Sequence, residues 1–193
     1  MHHTVFDTRG INTLLLAGSR LVLKLAGWRV EGAVPASVHK CVLIAAPHTT
    51  NWDLPITLMA AFLLRLNPYW MGKASIFKPP FGAVMRWLGG IAVQREQSNN
   101  LVAASAAALV AADSPVQLIV PPQGTRSGVT EWKTGFYYIA QTAQLPILLA
   151  YIDYPNKRVG LGPVFEPSGD IERDMAEIKA FYAPMRGKQG QRV

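Results

Sequence analysis

The chain reads as a single-domain α/β protein with a mostly parallel central sheet flanked by helices, preceded by an amphipathic N-terminal helix. Three observations predict this. Apolar runs of strand length recur, among them "KCVLIAA" at 40–46, "VQLIV" at 116–120 and "LPILLAYID" at 145–153. Segments of helical composition stand between them, and such alternation implies crossover connections and parallel pairing. The 193 residues are 50% apolar and 16% charged, enough for one core and too apolar for a disordered chain. No internal repeat or low-complexity linker divides the chain.

Taken in order, "INTLLLAGSRLVLKLAGW" at 11–28 predicts an amphipathic helix. Leu14, Leu21 and Leu25 share its apolar face, and Arg20 and Lys24 fall on a polar stripe. Two readings stay open: a terminal helix packed on the domain, or a helix lying in a bilayer interface. Residues 1–30 are therefore set apart from a main domain of 31–193. After the connection "VEGAVP", the run 40–46 is a buried strand, 54–66 a helix and "YWMGK" a second strand. Residues 76–88 suit a short helix with prolines near its start and a stop at Gly89-Gly90. "IAVQR" is a third strand, and the alanine-rich 98–113 a helix with Ser98 and Asn99 as capping candidates. A fourth strand at 116–122, a helix at 131–144, a fifth strand at 145–153, one or two strands in "KRVGLGPVF" and a charged helix at 170–183 complete the chain.

The net charge is +7 and the isoelectric point near 9.8, with mean hydropathy +0.16. No basic run interleaved with aromatics tracks a nucleic-acid backbone, so a nucleic-acid partner is not expected. Basic and apolar together lean toward an anionic membrane surface. No uninterrupted apolar stretch reaches the ~18 residues of a membrane-spanning helix, and the N-terminus lacks a clear signal peptide. Cys41, the single cysteine, sits mid-strand and reads as a small buried hydrophobe.

Three polar clusters follow three apolar strands, where sites of α/β sheets tend to form. His48 and Asp53 follow "CVLIAA"; Gly89, Gly90 and Arg95 flank "IAV"; "PPQGTRS", with Gln123, Gly124, Thr125 and Arg126, follows "VQLIV". A neutral imidazole can take a proton from a hydroxyl, and a carboxylate beside it fixes the tautomer and stabilises the imidazolium. A lone His–Asp pair more often satisfies loop hydrogen bonds, so the pair gains weight only from its company. Arg95 and Arg126 suit an anion such as phosphate, the Gly124-Thr125 turn offers backbone N–H groups, and Lys73 and Lys133 add charge. The third cluster lacks the spacing of a P-loop, and no Gly-x-Ser-x-Gly elbow supports a serine nucleophile. A metal site is weaker, since His39 and His2-His3 lack ligand spacing. Direct transfer with His48 activating a hydroxyl is preferred over a covalent intermediate.

In order, these clusters resemble the motifs of the glycerolipid acyltransferase family, the lysophosphatidic acid acyltransferase-like (PlsC-like) enzymes. "HTTNWD" matches a histidine, four residues and an aspartate; "GGIAVQR" matches a Gly-Gly segment ending in arginine; "PQGTRS" matches Pro-Glu-Gly-Thr-Arg-Ser except at Gln123; "LPILLAYI", with Pro146, resembles a proline-bearing apolar strand. The match spans about residues 40–153. The resemblance implies acyl transfer from a coenzyme A or acyl carrier protein thioester to a hydroxyl of a lysophospholipid or glycerol-phosphate-type acceptor. His48 would be general base, Asp53 its orienting partner, and Gly90, Arg95, Gln123, Gly124, Thr125, Arg126 and Lys73 would bind substrate. No metal or resident cofactor is implied. The place implied is the cytoplasmic face of a membrane, peripheral or monotopic. Gln123 keeps the shape of the family's glutamate, loses its charge and gains an N–H donor. Three readings of Gln123 compete: a natural glutamine tuned to a different acceptor, a weakened enzyme, or an engineered change that slows turnover. Two rival functions stay open: a catalytically silent lipid- or membrane-binding member of the fold, suggested by Gln123, and a hydrolase that uses His48 and Asp53 to activate water on the thioester. Trp52 and Trp132 are candidates for a substrate groove or for the core.

Overall fold

The computed structural model describes residues 2–8, 10–93, 98–123 and 132–191. Seven strands form one sheet: β1 (Arg29–Glu31), β2 (Lys40–Ala46), β3 (Pro68–Lys73), β4 (Gly90–Val93), β5 (Val116–Ile119), β6 (Ile147–Asp153) and β7 (Arg158–Phe165). Their spatial order is β1-β7-β6-β2-β5-β3-β4. Neighbours pair in parallel except β6 and β7, which are antiparallel. The helices are α1 (Ile11–Leu25), α2 (Asp53–Leu63), α3 (Gly82–Trp87), α4 (Ser98–Val110), α5 (Gly135–Ala143) and α6 (Ile171–Tyr182).

The two-residue period of a strand sorts β2 between two cores. Val42, Ile44 and Ala46 pack under α4, α5 and α6, with Leu109, Phe136 and Ile178 among their partners. Cys41 and Leu43 point to the opposite face, toward Ala61 of α2 and Phe77. Burial pushes the Cys41 thiol up to about 12, so it stays protonated and inert as a nucleophile.

Two details differ from the sequence reading, and a third narrows it. The connection "VEGAVP" begins inside a strand: β1 pairs with β7 through Val30 and Val159, and the boundary drawn after residue 30 falls within it. Residues 76–88 do not form one helix. A 3-10 turn at Ala74–Phe77 ends before Pro79 and Pro80, and α3 begins only at Gly82. Proline lacks an N–H and pushes the residue before it out of the helical region, so the two prolines separate the turns. "KRVGLGPVF" is one strand, reached from β6 by a tight turn with Lys157 at φ 46, and a hairpin of that length returns antiparallel.

Helix α1 forms as expected, but the face carrying Leu14, Leu21 and Leu25 is not its packed face. Those residues are 73%, 58% and 78% exposed, and Ser19 and Leu23 are the buried ones. Among the described residues, no helix is long and apolar enough to cross a membrane.

Candidate active site

The first site loop leaves the end of β2 and turns at once into α2. Asp53 is the first residue of that helix, and Pro55, in the same first turn, removes an N–H that would have no helical partner. The Asp53 side chain folds back over the turn. Its Oδ2 accepts the backbone N–H of Thr49 at 2.6 Å and of Thr50 at 2.8 Å. Its Oδ1 accepts the Thr50 hydroxyl at 2.9 Å and the Tyr154 hydroxyl at 2.6 Å. His48 completes the set, with Nδ1 3.1 Å from Oδ2. Sequence spacing thus delivers the pair, and the aspartate is the hub of the loop as well as the imidazole's partner.

Asp53 is 1% exposed. Burial works to raise its pKa. The hydrogen bonds from His48, the Thr50 N–H, Tyr154 and the Thr50 hydroxyl outweigh burial and hold the carboxyl at about 2. The site therefore keeps a carboxylate at neutral pH, facing Nδ1. With Nδ1 committed, Nε2 is the ring nitrogen left for a substrate. The His48 side chain is 23% exposed and lines a cavity of about 410 Å³. The rest of that cavity is mainly apolar: Leu54, Leu58, Trp70, Met71, Ile76 and Ile119, with Lys73 at the end of β3 adding a cation.

Gln123, beyond β5, is buried, and its Oε1 accepts the His48 backbone N–H at 2.9 Å. The glutamine therefore uses the acceptor oxygen it shares with a glutamate. It grips the main chain of the residue whose side chain faces the cavity. Gly90 opens β4 opposite Trp70. A Cβ there would lie 2.6 Å from both the Met85 carbonyl and the Phe77 ring, so close packing alone accounts for the glycine. Because β2, β4 and β5 run parallel with β3, the loops that follow them start from one edge of the sheet. Arg95, Gly124, Thr125 and Arg126 lie outside the described residues. Lys133 lies beyond them, and its N–H donates to the Pro122 carbonyl.

Neither tryptophan singled out from sequence lines the cavity. Trp132 packs in the core against Phe136 and Tyr182, whereas Trp52 is 60% exposed beneath the Lys188 ammonium, 5.2 Å from its ring centre. Trp70 is the tryptophan at the cavity. Sequence reasoning also missed Tyr154 and the segment around Lys188. The Arg186 carbonyl accepts the Tyr154 N–H, and the Lys188 N–H reaches the Thr49 hydroxyl at 3.4 Å. The signal for Tyr154 was its place just past a strand that pairs with β2.

A family model described as acyltransferase matches residues 28–153. No curated protein sequence matches the chain. Among solved structures, the chain resembles the crystal structure of the 1-acyl-sn-glycerophosphate (LPA) acyltransferase, PlsC, from Thermotoga maritima. The TM-score is 0.60 at 16% identity, over 92% of this chain and 82% of that one, a likeness of fold.

Proposed function

From the premise that this chain belongs to the acyltransferase family, we propose that it moves a fatty acyl group from an acyl-CoA or acyl carrier protein thioester to a hydroxyl of a lysophospholipid or glycerol-phosphate-type acceptor. The observation that carries this reading is the buried Asp53 carboxylate on His48 Nδ1 at the wall of an apolar cavity. The acceptor hydroxyl approaches His48 Nε2. As its oxygen attacks the thioester carbonyl, the proton passes to Nε2, and Asp53 stabilises the imidazolium. The tetrahedral intermediate collapses with cleavage of the carbon–sulfur bond, and the leaving thiolate takes the proton from Nε2. Ester and free thiol are the products. The acyl chain lies along Leu54, Leu58, Trp70 and Ile76, where apolar lining excludes the water that would turn transfer into hydrolysis. Arg95, Arg126 and Lys73 neutralise the acceptor's phosphate, with Gly90 and the Gln123-Gly124-Thr125 turn around it.

The protein works at the cytoplasmic face of a membrane, as a peripheral or monotopic enzyme. Support comes from the exposed Leu14, Leu21 and Leu25 of α1 and from Ile76, exposed at the cavity wall. Between Asp53 and Glu96 the chain carries Arg65, Lys73, Lys78, Arg86 and Arg95 and no acid, a charge pattern suited to anionic lipid.

The test is thiol release from acyl-CoA with and without lysophosphatidic acid and other lysolipids. Acceptor-dependent release that falls by at least ~10³-fold in His48→Ala supports the reading, the scale expected when both base catalysis and orientation are lost. Release without acceptor favours the hydrolase, and no release with any acceptor favours a silent lipid-binding fold.

A further inference from the structure

We infer that Tyr154 is a positioning residue of the transfer reaction: its hydroxyl fixes Asp53 so that one carboxylate oxygen stays aimed at His48. The inference rests on the His48–Asp53 reading above and adds a residue that lies outside the motif loop.

The two oxygens of Asp53 divide their work. Oδ2 serves His48 Nδ1 and two backbone N–H groups, and Oδ1 serves two hydroxyls. The Thr50 hydroxyl belongs to the same turn and moves with it. Tyr154 comes from the far end of the chain, beyond β6, and ties the turn to the sheet. The register explains the reach: Ala46 of β2 lies opposite Tyr151 of β6, so the chain segments leaving both strands emerge side by side. The tyrosine is itself held. Its N–H donates to the Arg186 carbonyl, its carbonyl accepts the Lys157 N–H in the hairpin turn, and its ring meets Trp28 edge-on at 5.2 Å. Burial and then the neighbouring Asp53 push the phenol pKa up, so the hydroxyl remains a donor across the working range of pH. A carboxylate free to rotate would exchange its oxygens before the imidazole and blur its direction. With Oδ1 tied to a rigid ring, rotation costs that bond.

Tyr154→Phe deletes the hydroxyl and keeps the ring against Trp28. Two readouts separate orientation from mere stability. In ring-¹⁵N-labelled protein, the Nδ1–H proton of His48 is followed by NMR, with no substrate present. Its exchange with water is expected to quicken about tenfold in Tyr154→Phe, with kcat down about tenfold and KM within about twofold, the scale of one lost hydrogen bond to a charged group. Wild-type exchange in the variant overturns the inference, as does an unchanged kcat. A loss confined to KM also overturns it, because that places the tyrosine in substrate binding. His48→Ala with undiminished transfer would sink the general-base reading, and the proton-exchange result would still decide whether Tyr154 orients the pair.

Discussion

Replacing Gln123 with leucine should disable the site without touching His48 or Asp53. The side chain is 4% exposed and its Oε1 is 2.9 Å from the His48 backbone N–H. Leucine fills nearly the same volume and offers no acceptor. The His48 N–H is then left unpaired in a partly buried place, which costs about 2 kcal/mol, and for a domain near this size each kcal/mol lowers Tm by about 2–4 °C. Gln123→Leu should therefore melt about 4–8 °C below wild type. Its kcat should fall about tenfold or more, because a displaced His48 main chain carries the imidazole away from the attacking hydroxyl. Gln123→Glu retains the acceptor and should melt close to wild type. Its thiol release should be equal or lower, since a second carboxylate on the His48 N–H joins ionised Asp53 on the next N–H along the same turn. Thermal melts and thiol release on the three proteins decide the matter. A Gln123→Leu protein with wild-type Tm and kcat would refute the reasoning. A rise in turnover with glutamate would show that glutamine weakens the enzyme.

The Asp53 carboxyl also sets a pH dependence. Its folded pKa of about 2 lies below the ordinary 3.8, so its contribution is present in full above 3.8 and is lost as pH falls toward 2. The shift corresponds to about 2 kcal/mol, so urea melts of wild type and Asp53→Asn should differ by roughly that at pH 6 and converge toward pH 2. For the membrane, Leu14→Ser, Leu21→Ser and Leu25→Ser combined should leave stability within about 1 kcal/mol, because all three side chains are exposed. The same variant should lose most sedimentation with anionic vesicles, and undiminished sedimentation would remove α1 from the contact.

Much of the fold was written locally. β2, β5 and β6 are buried on both faces and therefore read as continuous apolar runs. β1 was not legible, because Arg29-Val30-Glu31 has one apolar residue and its place depends on a register with β7 more than a hundred residues on. The split of 76–88 is legible in principle from Pro79 and Pro80, but the apolar content of the segment masks their breaking effect. In the site, His48 and Asp53 declare themselves because a five-residue interval spans one turn. Tyr154 does not, because its meeting with Asp53 depends on how β2 and β6 align. Trp52 and Trp132 show the converse limit: composition gives aromatic character to a region and leaves open which ring faces which space.

The brace on the turn at 48–53 has a consequence for how the protein is made. Residues 48–53 emerge early in synthesis, but their supports at Gln123, Tyr154 and the Arg186–Lys188 segment follow much later. At ribosomal speed, the interval from Asp53 to Lys188 lasts on the order of ten seconds. During that time the nascent chain carries its histidine and aspartate without the geometry that gives them purpose. On the proposed mechanism, a chain clipped before Arg186 should turn substrate over slowly however intact its motifs are.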